Sequence, residues 1–279
     1  MSKALSIGFS PCPNDTFIFY ALVHGLVNPQ LVDTPELADV QTLNKRAQAG
    51  ELDLIKVSYG AVPDLLDRYR ILRSGGALGH GCGPLLVARE PGLSVPDLAG
   101  RGWILIPGQH TTAFLLLMLR APELGPFFAI PFDKIPFQVE KGDDVAAGLI
   151  IHESRFTYQQ HGLHVVCDLG EWWEQETGLP LPLGAILARR DLGFDQIAEA
   201  EAAVRASVEW ALANPAHARA YVRQHAFELD DSVIDAHIKL YVNDYSVDVG
   251  EEGAKAVRTL FERGAAAGLL STVSGDPFQ

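Results

Sequence analysis

The chain has 279 residues, 48% of them hydrophobic and 20% charged, which suits a globular protein with one large or two modest domains. Its net charge of −13 argues against nucleic acid and anionic membrane surfaces as partners, yet leaves room for a local seat for a small anion. No run approaches the ~20 apolar residues of a membrane span. The cysteines Cys12, Cys82 and Cys167 are well separated and suggest neither a disulfide framework nor a metal spacing, so they read as small buried or semi-buried residues. The N-terminus enters a strand without a basic leader and long apolar core, and a cytoplasmic location is expected.

Residues 4–9 read as a first strand. Ser10-Pro11-Cys12-Pro13-Asn14-Asp15 is a turn rich in N-cap residues. Residues 16–24 are apolar almost all round and closed by Gly25, the pattern of a helix buried on most sides. The free N–H groups at its start point over the end of strand one. Val40, Leu43 and Ala47 fall at helical spacing before a stop at Gly50. A strand over 52–58 follows, with Lys56 and Ser58 near its carboxyl end, then a helix over 59–69 and a short strand over 71–74. Residues 75–83 hold five glycines and read as a flexible connection to a strand over 84–89.

The pattern then restarts. A capped turn over 94–102 leads to a strand over 103–106, a Pro107-Gly108 turn and a helix over 113–120. Residues 123–131 read as a linker without a usable motif. Residues 135–139 are expected as a strand, 143–147 as a helical turn, 148–152 and 163–168 as strands, and Trp172 and Trp173 as part of a polar turn. Residues 183–188 return as a strand, and helices fill 194–213, 215–227, 231–242 and 251–267. This alternation predicts an α/β protein of two lobes joined by two crossings. The first lobe is expected to be discontinuous, 1–90 plus 185–279, and the second to span 91–184. Closure over a ligand is expected to hinge near 75–83 and 183–188.

The apolar run Gly148-Leu149-Ile150-Ile151 leads straight into His152. A strand of this kind in a parallel sheet places His152 at its carboxyl end, where open α/β sheets bind ligands. With an unperturbed pKa of ~6.5, imidazole is suited to accept a proton near neutrality. The alternative is a histidine that merely caps a backbone carbonyl. Glu153, next along a strand, is expected to point away, and Arg155 either serves the site or pairs with an acid. The chain has no Gly-x-Gly-x-x-Gly after strand one, no Walker-type lysine loop and no Cys/His ligand set, so no cofactor and no metal are expected. His80 is expected at the surface, and Ser58 lacks a readable triad as a nucleophile.

The order of elements resembles the periplasmic-binding-protein type 2 fold. More narrowly, Gly8–Phe17, Lys56-Val57-Ser58-Tyr59, Arg73–Gly79, Gly108-Gln109-His110-Thr111-Thr112-Ala113, 148–158, Gly178–Ala185 and Val247–Gly253 resemble the 1,4-dihydroxy-6-naphthoate synthases of the futalosine route to menaquinone. The resemblance covers most of the chain. It implies a lyase acting on cyclic dehypoxanthinyl futalosine, with His152 as general base. It further implies ligand contacts from Lys56, Val57 and Ser58 and from the helix start Thr111, Thr112 and Ala113, where an aryl carboxylate would meet free N–H groups and the positive end of the helix dipole. Asn14, at the other helix start, and Asn44, on the helix before Lys56, are further candidate contacts. The expected partner is thus a small carboxylate-bearing molecule. The competing reading is a non-catalytic small-anion binder or sensor of the same fold, because fold alone does not settle function.

Overall fold

The computed structural model describes residues 4–227 and 230–279. Strand β1 (Ile7–Phe9) runs through a turn into α1 (Pro13–Val23), whose first position is a proline with φ already set for a helix. α1 is buried along most of its length and packs on α7 (Phe194–Ala213) and α8 (Pro215–His225) of the C-terminal region. β2 (Glu36–Leu37) precedes α2 (Val40–Ala49), capped by the Asp39 carboxylate, which accepts from the N–H groups of Gln41 and Thr42. Gly50, at φ 72°, ends the helix. β3 (Leu54–Ser58), β4 (Tyr69–Ile71) and β5 (Ala77–Gly79) follow.

The central section comprises β6 (Leu85–Ala88), β7 (Trp103–Ile106), α3 (Thr112–Arg120), β8 (Phe127–Ala129), α4 (Ile135–Lys141), β9 (Val145–Ile150), α5 (Ser154–Thr157), β10 (His164–Asp168) and α6 (Leu169–Thr177). The long strand β11 (Leu181–Arg189) returns the chain, and α9 (Asp231–Tyr241), α10 (Asp244–Val247) and α11 (Gly250–Ala266) complete it after α7 and α8. One sheet has the order β2-β1-β3-β11-β4 with β5 paired to β11, and the other has β10-β6-β9-β7-β8. β1 is parallel to β2 and β3, whereas β11 runs antiparallel to β3 with Gly184 opposite Ser58. In the second sheet β7 is parallel to β8 and β9. The fold is a mixed α/β architecture of two sheets, as expected.

Several local expectations change. Residues 135–139 form the helix α4, because Ile135, Pro136 and Val139 bury one helical face against β9. A Cβ on Gly148 would lie 2.5 Å from Ile135 and 2.6 Å from Val139, so the missing side chain is what lets α4 lie on the strand. Strand β9 starts at Val145, opposite Trp103, and displaces the expected helical turn over 143–147. The helix expected over 59–69 is a 3-10 segment, Tyr59–Leu65, with Pro63 inside it, a residue that cannot donate to an α-helical ladder. Trp172 and Trp173 lie on α6, which is capped by Asp168. β8 occupies part of the expected linker.

The glycine run is not a uniformly flexible connection. Its first half is packed: Gly75 donates to Ser246 O at 2.8 Å, and β5 pairs with β11. A Cβ on Gly75 would meet Ile186 and Val204 at 2.8 Å. β6 belongs to the second sheet through β9 and β10, and β11 joins the first sheet from Leu181 onward. The chain therefore passes between the two sheets at 80–84 and again just before Leu181.

Candidate active site

A cavity lies where the end of β3, the turn after β1, the start of α3 and the turn after β9 converge. Of the expected site residues, Asn14, Lys56, Val57, Ser58, Thr111, Thr112, Ala113 and His152 all line it. Asn44 does not. It sits fully buried behind β3, where its Oδ1 accepts from Ser58 N at 2.9 Å and its Nδ2 donates to Ser58 Oγ at 3.3 Å and His110 O at 3.2 Å. Asn44 therefore positions Ser58. A helix residue at this spacing faces the strand it packs on before it can reach past it.

The turn after β1 holds a buried ion pair. Asp15 Oδ1 accepts from Lys56 Nζ at 2.9 Å and from Asn14 Nδ2 at 2.8 Å, while Oδ2 accepts from Ser10 Oγ at 2.7 Å. The Lys56 and Asp15 side chains are 6% and 2% exposed. Charges this deep persist only when paired and hydrogen-bonded. Lys56 Nζ also donates to Gly75 O at 3.1 Å, which leaves one of its three donors for a ligand. A Cβ on Gly184 would stand 2.9 Å from Lys56 Cε, so this glycine makes room for the lysine stem.

The start of α3 is built differently from a hydroxyl-lined anion seat. Thr111 Oγ1 donates to Gly108 O at 2.8 Å and caps the helix by accepting from Phe114 N at 3.2 Å. Thr112 Oγ1 donates to Leu183 O at 2.8 Å and accepts from Gly60 N at 3.0 Å. Both hydroxyl protons are thus committed. Thr112 and Ala113 line the cavity, and a helix leaves the N–H groups of its first turn without intrahelical partners. Gly60 is tight against this helix start, since a Cβ there would lie 3.0 Å from Thr111 O.

His152 does not continue β9. It adopts φ 54°, a left-handed conformation that costs a non-glycine residue about 1–3 kcal/mol and tends to occur at functional sites. The reversal turns Glu153 inward as well, so that it is 4% exposed rather than pointing away. Phe132 meets the His152 ring edge-on at a centroid distance of 5.0 Å. His237 stacks on it at 6.2 Å. Burial pushes the His152 pKa down to about 4, with smaller opposing effects from Asp15, which raises it, and Lys56, which lowers it. The imidazole is therefore neutral near pH 7, with a lone pair available. Arg155 pairs with Asp168 at 2.8 Å, and His80 is exposed beside Glu174 at 3.0 Å.

A family model described as menaquinone biosynthesis matches residues 5–266. The chain belongs to that family. It is 56% identical to a protein of Thermus thermophilus named 1,4-dihydroxy-6-naphtoate synthase, over 96% of this chain and 97% of that one. A Streptomyces coelicolor protein of the same name is 47% identical over 99% of this chain and 98% of its own. A solved structure from Archaeoglobus fulgidus superposes with a TM-score of 0.88 at 36% identity, covering 96% of this chain and 99% of that one. The periplasmic aliphatic sulphonate binding protein of Escherichia coli, at 13% identity, superposes with a TM-score of 0.67 and covers 99% of this chain and 95% of its own. That likeness shows a periplasmic-binding-protein-like fold, which this member of the menaquinone family shares.

Sequence reasoning missed Ser10, Asp15, Cys82 and Tyr241 at the cavity wall, and His237 behind it. Asp15 had a weak signal, since a buried strand-end lysine demands a counter-charge. His237 and Tyr241 had none, because α9 reads as an ordinary amphipathic helix.

Proposed function

We infer that this chain is a lyase of menaquinone biosynthesis that forms 1,4-dihydroxy-6-naphthoate, and that its substrate is cyclic dehypoxanthinyl futalosine. The observation that carries the site assignment is His152, held in a left-handed turn at the wall of a cavity between the two sheets. In this reading the neutral imidazole takes a proton from carbon next to a carbonyl, a general-base contribution of about 10²–10⁴ in rate. The sugar-derived fragment is then expelled, and gain of an aromatic ring makes the elimination favourable. The substrate carboxylate sits at the start of α3, against the N–H groups of Thr112 and Ala113 and the positive end of the helix dipole. Asn14, Ser58, Val57 and the remaining Lys56 donor contact the rest of the ligand.

The two sheets form the cores of two lobes that close over the substrate, with the crossings at 80–84 and just before Leu181 as hinges. In this reading the enzyme acts in the cytoplasm on a small molecule and requires no cofactor. The test is incubation of the purified chain with cyclic dehypoxanthinyl futalosine. Release of a naphthoate with new ultraviolet absorption is expected. Return of the compound unchanged from a saturated protein would instead identify a non-catalytic binder.

A further inference from the structure

A thiol, an imidazole and a carboxylate meet beside the cavity. Cys12, immediately before α1, is 1% exposed. Its Sγ, a ring nitrogen of His152 and a carboxylate oxygen of Glu153 lie within 4.8 Å of one another. The thiol hydrogen-bonds the Glu153 side chain, and burial, with the Glu153 charge second, raises the thiol pKa well above its ordinary value. In this state Cys12 is protonated and inert. The three donors come from chain segments that no sequence spacing relates, the turn after β1 and the turn after β9.

We propose that Cys12, His152 and Glu153 form a binding site for a thiophilic divalent cation of the zinc class, whose occupation silences the enzyme by taking the His152 lone pair. The binding site stands on the geometry alone; only the silencing rests on His152 being the base.

The donor set is the one such cations use: thiolate sulfur, imidazole nitrogen and carboxylate oxygen, three protein ligands with a fourth position left to water. A tetrahedral zinc centre sets its donor atoms roughly 3.5 Å apart, so the triad has to contract by about an ångström. Each donor lies at a turn, where such a shift is accommodated more readily than in the middle of a strand. Charge favours the complex. A thiolate and a carboxylate neutralise a doubly charged ion, and a neutral cluster avoids the main cost of burying charge. His152 binds as the neutral ligand it already is. The thiol proton is displaced to solvent through the cavity, one per cation bound. Asp15 and Lys56 are held by each other and do not compete. Sulfur and nitrogen donors disfavour magnesium and calcium, which take oxygen ligands.

The experiment titrates the substrate-free chain with cobalt(II) as a spectroscopic probe, then with zinc. Expected are one cobalt per chain, a near-ultraviolet sulfur-to-cobalt charge-transfer band, release of one proton, and displacement by zinc. Cys12→Ser should abolish the band and weaken binding by at least about 100-fold, while Cys82→Ser, at the cavity wall, should keep it. No band, or a band that survives Cys12→Ser, overturns the proposal. Should Cys12→Ser not fold, anomalous scattering at the zinc edge from zinc-soaked wild-type crystals decides: a peak bonded to Cys12, His152 and Glu153 is expected, and its absence overturns the site. Zinc at saturation should also remove turnover, and a chelator should restore it. A filled centre with unchanged turnover would overturn the silencing and the base assignment together, whereas an empty centre overturns the metal site and leaves that assignment standing.

Discussion

The imidazoles of His152 and His237 lie nearly parallel, with ring centroids 6.2 Å apart and planes inclined by 17°. His237 belongs to α9 and is fully buried. Its Nε2 lies 2.9 Å from Asn14 Oδ1, and Asn14 Nδ2 is already donating to Asp15. The Asn14 oxygen is therefore an acceptor, and His237 carries its proton on Nε2. Burial first, and proximity to His152 second, push the His237 pKa well below its ordinary value. The wall behind His152 is thus an uncharged ring, tied through Asn14 and Asp15 to Lys56.

This enclosure sets a pH dependence. In chelator-treated enzyme, kcat/KM should rise through an acid limb near pH 4, the value to which burial lowers His152, and stay level through the ordinary imidazole range. The folded value lies below the unfolded ~6.5, so between the two the unfolded chain binds more protons. Stability should therefore be unaffected by His152 above about pH 6.5 and should fall as pH drops from there toward 4. An acid limb near 6.5 would show a solvated ring and refute the enclosure.

Replacing the base should act on the chemical step. His152→Ala is expected to lower kcat by about 10²–10⁴ while KM changes only a few-fold, because the ground-state contacts come from other residues. Steady-state kinetics with a folded variant checks this, and near-normal kcat would end the assignment.

The buried pair makes an asymmetric prediction. Asp15→Asn leaves Lys56 without its counter-charge in an enclosed site, and the expected loss is about 3–5 kcal/mol of stability. Asp15→Leu combined with Lys56→Met removes both charges and should recover much of that loss, though not substrate affinity. Denaturant midpoints at constant slope give both numbers.

Thr112 joins Gly60 N–H to Leu183 C=O. Thr112→Val keeps the shape but orphans both groups, at a cost of about 1–3 kcal/mol, read as a lower Tm. If the backbone N–H groups rather than the hydroxyl hold the carboxylate, KM should rise less than it does when the helix start is disrupted by Ala113→Pro. The opposite order would return the carboxylate contact to the hydroxyl.

No resident metal is expected to be needed for turnover. Dialysis against a strong chelator should leave activity intact, and a lasting loss restored by one added metal would reverse that expectation.

Much of this protein is legible along the chain because its signals are local. Buried strands ending in Lys56-Val57-Ser58 and in the run before His152, the cap residues at Asn14 and Thr111, and the restart near residue 103 depend on neighbours within a turn or two. They were sufficient for an α/β architecture, for part of the cavity wall and, with long ordered blocks such as 8–17, for the family. The misreadings share one cause. Residues 135–139 and 143–147 have apolar patterns compatible with either helix or strand, and packing decided them: α4 needed the bare backbone of Gly148 to lie on, and Val145 needed Trp103 opposite. The glycine run reads as loose until β11, a hundred residues later, supplies β5 with a partner. What only the tertiary structure decided is what surrounds His152. The left-handed turn at His152 swings Glu153 inward toward Cys12, α9 brings His237 against the imidazole, and Asp15 meets Lys56 across the first sheet. Each of these contacts closes a long loop of chain, and no local preference of the residues involved records where such a loop will close.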